Sequence, residues 1–119
     1  MLFHVFSDLH LEHHPDINSF KTFINKFPYI IYNIDINSLS DKILILAGDI
    51  GYPTSSNYFE FLKDCCSVYK YVIFTTGNHE YYNSEINFIN DLLEKESSKI
   101  SNLHFLLNKS VITHIRKYF

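Results

Sequence analysis

Three short apolar runs most constrain the fold of this chain, because each ends abruptly in a polar cluster. Leu2-Phe3-His4-Val5-Phe6 gives way to Ser7-Asp8-Leu9-His10, and Lys42-Ile43-Leu44-Ile45-Leu46-Ala47 to Gly48-Asp49-Ile50-Gly51. Tyr71-Val72-Ile73-Phe74 runs through Thr75-Thr76 into Gly77-Asn78-His79-Glu80. Short runs rich in β-branched and aromatic residues read as strands, the first of them buried on both faces.

Helix-period stripes lie between these runs. Ile17, Phe20, Ile24 and Phe27 fall on one helical face, opened by Pro15-Asp16 and stopped by Pro28. Tyr58, Leu62, Cys65 and Tyr69, flanked by Phe59 and Cys66, form a second stripe after the cap-like Thr54-Ser55-Ser56. Ile86, Ile89 and Leu93, flanked by Leu92, form a third from about Ser84 to Ser97. Glu94, Lys95 and Glu96 read as its solvated face. Leu103 to Leu107 and Val111 to Ile115 read as two closing strands. Residues 29–41 fit either an extra edge strand or an irregular connection that ends in a turn. Strand–helix alternation of this kind predicts an α/β fold with a partly parallel sheet built from βαβαβ units. Right-handed crossovers then put the C-terminal ends of the strands on one edge, where open α/β sheets bind ligands.

At 119 residues the chain reads as one domain, residues 1–119. An apolar share of 46% against 19% charged excludes wholesale disorder. The net charge of -3 gives no basic footprint, which argues against a nucleic-acid partner. An anionic substrate would need positive charge from another source, and a bound metal ion can supply it. Cys65 and Cys66 are neighbours that point in different directions on a helix, so they read as small buried apolar residues and not as a disulfide. There is no signal-peptide pattern and no apolar run near the ~20 residues of a membrane span, so the expected setting is cytoplasmic, away from membranes.

The polar clusters share one chemistry. In an extended segment residues two apart project to one side, so Asp8 and His10 reach one point together. Asp49 brings a carboxylate able to bridge two cations, between glycines that let the backbone turn tightly. Asn78 offers a neutral carbonyl oxygen and His79 an imidazole. Mixed carboxylate, imidazole and amide donors suit Mn, Fe, Zn or similar ions. A pair of such ions ~3.5–4 Å apart is a standard device for hydrolysing phosphate esters.

Ser7-Asp8-Leu9-His10, Gly48-Asp49-Ile50-Gly51 and Gly77-Asn78-His79-Glu80, in this order and spacing, resemble the first three signature blocks of the calcineurin-like metallophosphoesterases. The resemblance runs from Leu2 to about Val111. It implies the N-terminal half of a four-layer αββα sandwich and the hydrolysis of a phosphate mono- or diester by a dimetal-bound hydroxide. Asp8 and His10 would then bind the first of two divalent ions, Asp49 would bridge both, and Asn78 would bind the second. Asn78 and His79 would meet the substrate phosphate, with His79 as the catalytic residue, and Glu80 would orient His79 or hold the loop.

The family's later blocks, a strand-end His and a closing Gly-His-x-His, have no counterpart, since no glycine follows Gly77. The chain therefore reads as a truncated domain with an incomplete second metal site, completed by self-association or by a second chain. The alternative is an inactive remnant that serves as a metal-binding or interaction module. His13 and His14 are candidate substitute ligands or substrate contacts, His114 a candidate ligand, His4 and His104 structural residues, and Tyr81 and Tyr82 packing residues beside the site.

Overall fold

The computed structural model describes residues 3–28 and 35–107. Its order is β1 (Phe3–Phe6), α1 (Phe20–Lys26), β2 (Ile43–Ala47), α2 (Ser56–Val68), β3 (Tyr71–Thr75), α3 (Ile86–Ser98) and β4 (Leu103–Phe105), with short 3₁₀ turns between. The four strands form one sheet in the order β1-β2-β3-β4, and every pairing is parallel. The α/β class is as expected, and the sheet among the described residues is parallel throughout. The strand at Val111–Ile115 and His114 lie outside the described residues.

Consecutive strands laid side by side through right-handed crossovers put the helices on one face of the sheet. That face carries Leu44, Leu46, Val72, Phe74, Leu103 and Phe105, which share one core with Phe20, Phe23, Tyr58, Phe61, Leu62, Cys65, Ile89 and Leu93. Each such side chain contributes about 1.5–3 kcal/mol on burial. On the opposite face Ile43 and Ile73 are buried, but burial does not extend to the β1 edge. There Val5 is 59% exposed, which corrects the expectation that the first strand is buried on both faces. β1 is an edge strand with helices on one side only.

Helix boundaries were set by caps that hydrophobic spacing does not reveal. α1 starts at Phe20, not at Pro15, because Ser19 and Thr22 form a reciprocal capping box. Ile17 is fully buried but precedes the helix. Its carbonyl, with those of Leu11 and His14, accepts from the Asn57 side chain at 3.1 Å each, so α2 ties down the loop after β1. In α3 the Glu85 carboxylate caps the Asn87 and Phe88 amides, and Ile86 is 58% exposed, outside the core stripe expected for it. The buried positions are Ile89, Leu93 and Ser97, at an even spacing of four. A 3₁₀ segment, Ile36–Asp41, leads into β2, so this part of residues 29–41 is an irregular connection. Cys65 and Cys66 are free thiols, and burial pushes that of Cys66 up to about 12.

His4 sits on β1 with Nδ1 2.7 Å from the Tyr69 hydroxyl, a structural role. Burial, and then the Lys42 charge, hold its pKa below the ordinary histidine value. The unfolded chain therefore binds this proton more readily than the folded one, so stability rises with pH. The His4 contribution is complete above about pH 6.5 and is lost as pH falls through and below that value. Urea midpoints measured from pH 7.5 down to 5 should show a shallower loss in His4→Phe than in the wild type. Parallel curves for the two proteins would sink this account.

Candidate metal centre

Parallel registry aligns the strand ends, with Phe6, Leu46 and Phe74 in one row. The three polar loops therefore leave the sheet from one line. Pairing continues past the strands: the amides of Asp8, His10 and Leu11 donate to the carbonyls of Gly48, Asp49 and Ile50 at 3.0, 3.1 and 2.8 Å. To follow this path Asp8, His10 and Asp49 all adopt left-handed backbone, with φ of 57, 50 and 52°. Such residues are costly outside glycine, by roughly 1–3 kcal/mol each, and gather at functional sites. The segment from Asp8 to His10 is thus a turn, not the extended stretch expected. Its two side chains still meet, with Asp8 Oδ1 3.7 Å from His10 Nε2.

His10, Asp49 and His79 converge, with one potential ligand atom from each lying within 4.8 Å of the others. The imidazoles of His10 and His79 are 4.4 Å apart, centre to centre. Asp49 Oδ1 accepts from the His79 amide at 2.9 Å, which fixes the carboxylate against the loop after β3. The loops touch so closely here that a Cβ on Gly77 would overlap Asp49 Oδ1 and stand 2.9 Å from its backbone nitrogen. Gly48, with φ of 91°, would place a Cβ 2.9 Å from the Gly77 nitrogen. These two glycines are what allow Asp49 and the Asn78-His79 turn to share one point.

Beneath them lies Glu80, only 1% exposed. Its Oε1 accepts from the amides of Asp49 and Gly77 at 3.0 and 2.8 Å, and its Oε2 from the Ile50 amide at 2.7 Å. The Tyr58 hydroxyl donates to Oε2 at 3.4 Å, and burial followed by the Glu80 charge pushes that phenol well above its ordinary pKa. Glu80 holds the loops from within.

The other candidates fall around this group. Asp8 lies beside His10 but is 63% exposed. Asn78 is exposed and donates through Nδ2 to the Tyr82 hydroxyl at 3.1 Å. Tyr82 stacks on His79 at 4.4 Å, while Tyr81 hydrogen-bonds Thr76 and Asn90. His13 is mostly exposed, and His14 packs edge-on against Phe27 at 5.2 Å. Both border a cavity of about 350 Å³ that opens beside Asp8 and His10 and is walled by Phe6, Phe23 and Phe27. A larger hollow, about 480 Å³, lies at Asn18, Glu60 and Asp64, away from these groups. His104 is half-buried on β4.

One member of the cluster was missed in the sequence. The Glu12 side chain is 5% exposed, and its Oε1 lies 3.2 Å from His10 Nδ1 and 3.3 Å from His79 Nδ1. Burial pushes this carboxyl up, but hydrogen bonds from its own amide and the two imidazoles outweigh that and hold it below the ordinary value. The available signal was the run Asp8-Leu9-His10-Leu11-Glu12, which keeps polar residues at every second position.

The donor set fits a divalent ion. Two imidazoles and a carboxylate at one point are borderline-hard ligands of the kind Mn, Fe and Zn take. No helix among the described residues is long and apolar enough to cross a membrane.

Comparison with known proteins agrees with this geometry. The chain is 32% identical over 77 residues, 65% of its length, to "Uncharacterized protein L509" of Acanthamoeba polyphaga mimivirus. It spans 26% of that relative. No solved structure matches. The family model described as calcineurin-like phosphoesterase matches residues 1–117, essentially the whole chain. With its three loop motifs gathered at one sheet edge, this chain belongs to the calcineurin-like phosphoesterase family.

Proposed function

We propose that this chain carries the metal-binding part of a phosphoesterase that hydrolyses a phosphate mono- or diester. The observation that carries the reading is the convergence of His10, Asp49 and His79 at the C-terminal edge of a parallel sheet. Asp8, His10 and Asp49 would hold divalent metal, and Asn78, which donates to Tyr82 here, would add a neutral oxygen ligand. The ions supply Lewis acidity and a water of lowered pKa when bound. His79 would face the ester phosphate, where its imidazolium form would stabilise charge and pass its Nε2 proton to the leaving oxygen while Nδ1–H stays on Glu12. Tyr82, stacked on the His79 ring, limits its rotation. A partner chain, or further residues of a longer protein, would supply the remaining metal ligands.

The aromatic-walled cavity beside Asp8 and His10 makes an aryl phosphate the natural probe. With Mn²⁺ added, the protein should hydrolyse an aryl phosphate monoester or diester. Asp49→Asn should lower the rate by about 100-fold or more, of the order removal of a key electrostatic group costs. Bound metal with no turnover in a folded protein would favour a non-catalytic metal-binding or interaction module. The exposure of Asn78, held by Tyr82, is the observation on that side.

A further inference from the structure

We infer that Glu12 is a positioning residue that sets the tautomer of two site histidines at once. One carboxylate oxygen, Oε1, meets the Nδ1 atoms of both His10 and His79, at 3.2 and 3.3 Å. A carboxylate only accepts, so each ring must present a proton there. For a neutral imidazole this leaves the lone pair on Nε2. The His10 Nε2 faces the Asp8 carboxylate, the side on which an ion between Asp8 and His10 would sit.

The burial of Glu12 argues for a specific task. Its Oε2 is fully buried and has no hydrogen-bond partner among the described residues. A buried carboxylate oxygen left alone costs free energy, so packing by itself does not account for glutamate at this position. The 3₁₀ turn Leu11–His13 aims it at the rings. The turn is itself anchored by the Leu11 amide on Ile50 and the Leu11 carbonyl on Asn57. Carboxylates that hold the far nitrogen of a metal-binding histidine fix ring orientation and raise ligand basicity. Here a single group serves a ligand candidate and the proton-handling candidate, so the two rings keep a common orientation.

The inference rests on the phosphoesterase reading for its consequence, but its test needs neither metal nor turnover. Long-range ¹H–¹⁵N spectra of the metal-free protein, recorded at about pH 8 where ordinary histidine is neutral, report each ring's tautomer. His10→Gln and His79→Gln variants assign the signals. Both rings should be Nδ1–H in the wild type. Glu12→Gln, which keeps a carbonyl oxygen able to accept both protons, should retain that state. Glu12→Ala should move both rings towards Nε2–H and weaken Zn²⁺ binding by about 10–100-fold, the usual effect of losing such a group. Nε2–H rings in the wild type, or unchanged Nδ1–H rings in Glu12→Ala, would overturn the inference. If Glu12→Ala does not fold, the wild-type tautomers decide. Nδ1–H rings in a protein that never hydrolyses phosphate would leave this inference standing and remove the catalytic reading instead.

Discussion

Glu80→Ala should destabilise the fold by about 4 kcal/mol, because it strips a common acceptor from three backbone amides and a tyrosine hydroxyl. Leaving a buried donor unsatisfied costs roughly 1–3 kcal/mol, and water can reach only some of these. A loss of this size is a large part of the 5–15 kcal/mol typical of a whole domain. Glu80→Gln should be milder, at about 2 kcal/mol. Its oxygen can keep the Asp49 and Gly77 amides while its NH₂ faces the Ile50 amide, donor against donor. Glu80→Asp is too short to reach the same donors. Urea unfolding followed by circular dichroism gives these differences directly. A loss below about 1 kcal/mol for Glu80→Ala would show that the loops hold together without it.

Gly77→Ala should have the largest effect on metal binding. The added methyl would occupy the space of Asp49 Oδ1 and press on the Asp49 backbone. Gly77 is not in the left-handed region, so the clash alone is responsible. Asp49 must swing away and the turn holding His79 must open. Mn²⁺ or Zn²⁺ affinity should fall by more than about tenfold, alongside an overpacking cost of about 1–3 kcal/mol. Gly51→Ala is the control. Its methyl meets Leu11 Cβ at 3.0 Å, and its nearest contacts are Leu11 and Tyr58 and not Asp49, so it should disturb packing and lower metal affinity less than Gly77→Ala does. Equal loss of affinity in both variants would point to general loosening of the edge.

The contrast between Glu80 and Glu12 shows what the sequence could disclose. The four strands and three helices were legible because hydrophobic period is a local property, and the strand-end clusters followed once the strands were placed. Helix starts were less legible. Ser19, Thr22 and Glu85 act through side-chain hydrogen bonds that leave no trace in spacing, which moved α1 to Phe20 and turned Ile86 outward. Burial of β1 depends on what lies across the sheet, and edge position exposed Val5. At the site, Asp8 and His10 were paired by an extended geometry that the backbone does not adopt. Glu12 was hidden for the same reason, since only the left-handed residues and the following turn fold it back under both rings. Glu80 stood within a motif and needed no such fold to be noticed.

The sheet order has a consequence for how the site comes into being during synthesis. Domains assemble from the N-terminal side as the chain is made. Strands added strictly in order, β1 to β4, let each pair with its predecessor as soon as it emerges. The loops carrying Asp8, His10 and Asp49 can come together early, through backbone pairing alone. The acceptor that clamps them, however, is Glu80, and the second imidazole is His79, and both arrive together after β3. Until that point a nascent chain holds only a loose Asp8-His10-Asp49 arrangement. The clamp on these loops is then acquired in one step, so the arrangement of Asp8, His10 and Asp49 becomes fixed only once the residues after β3 have been made.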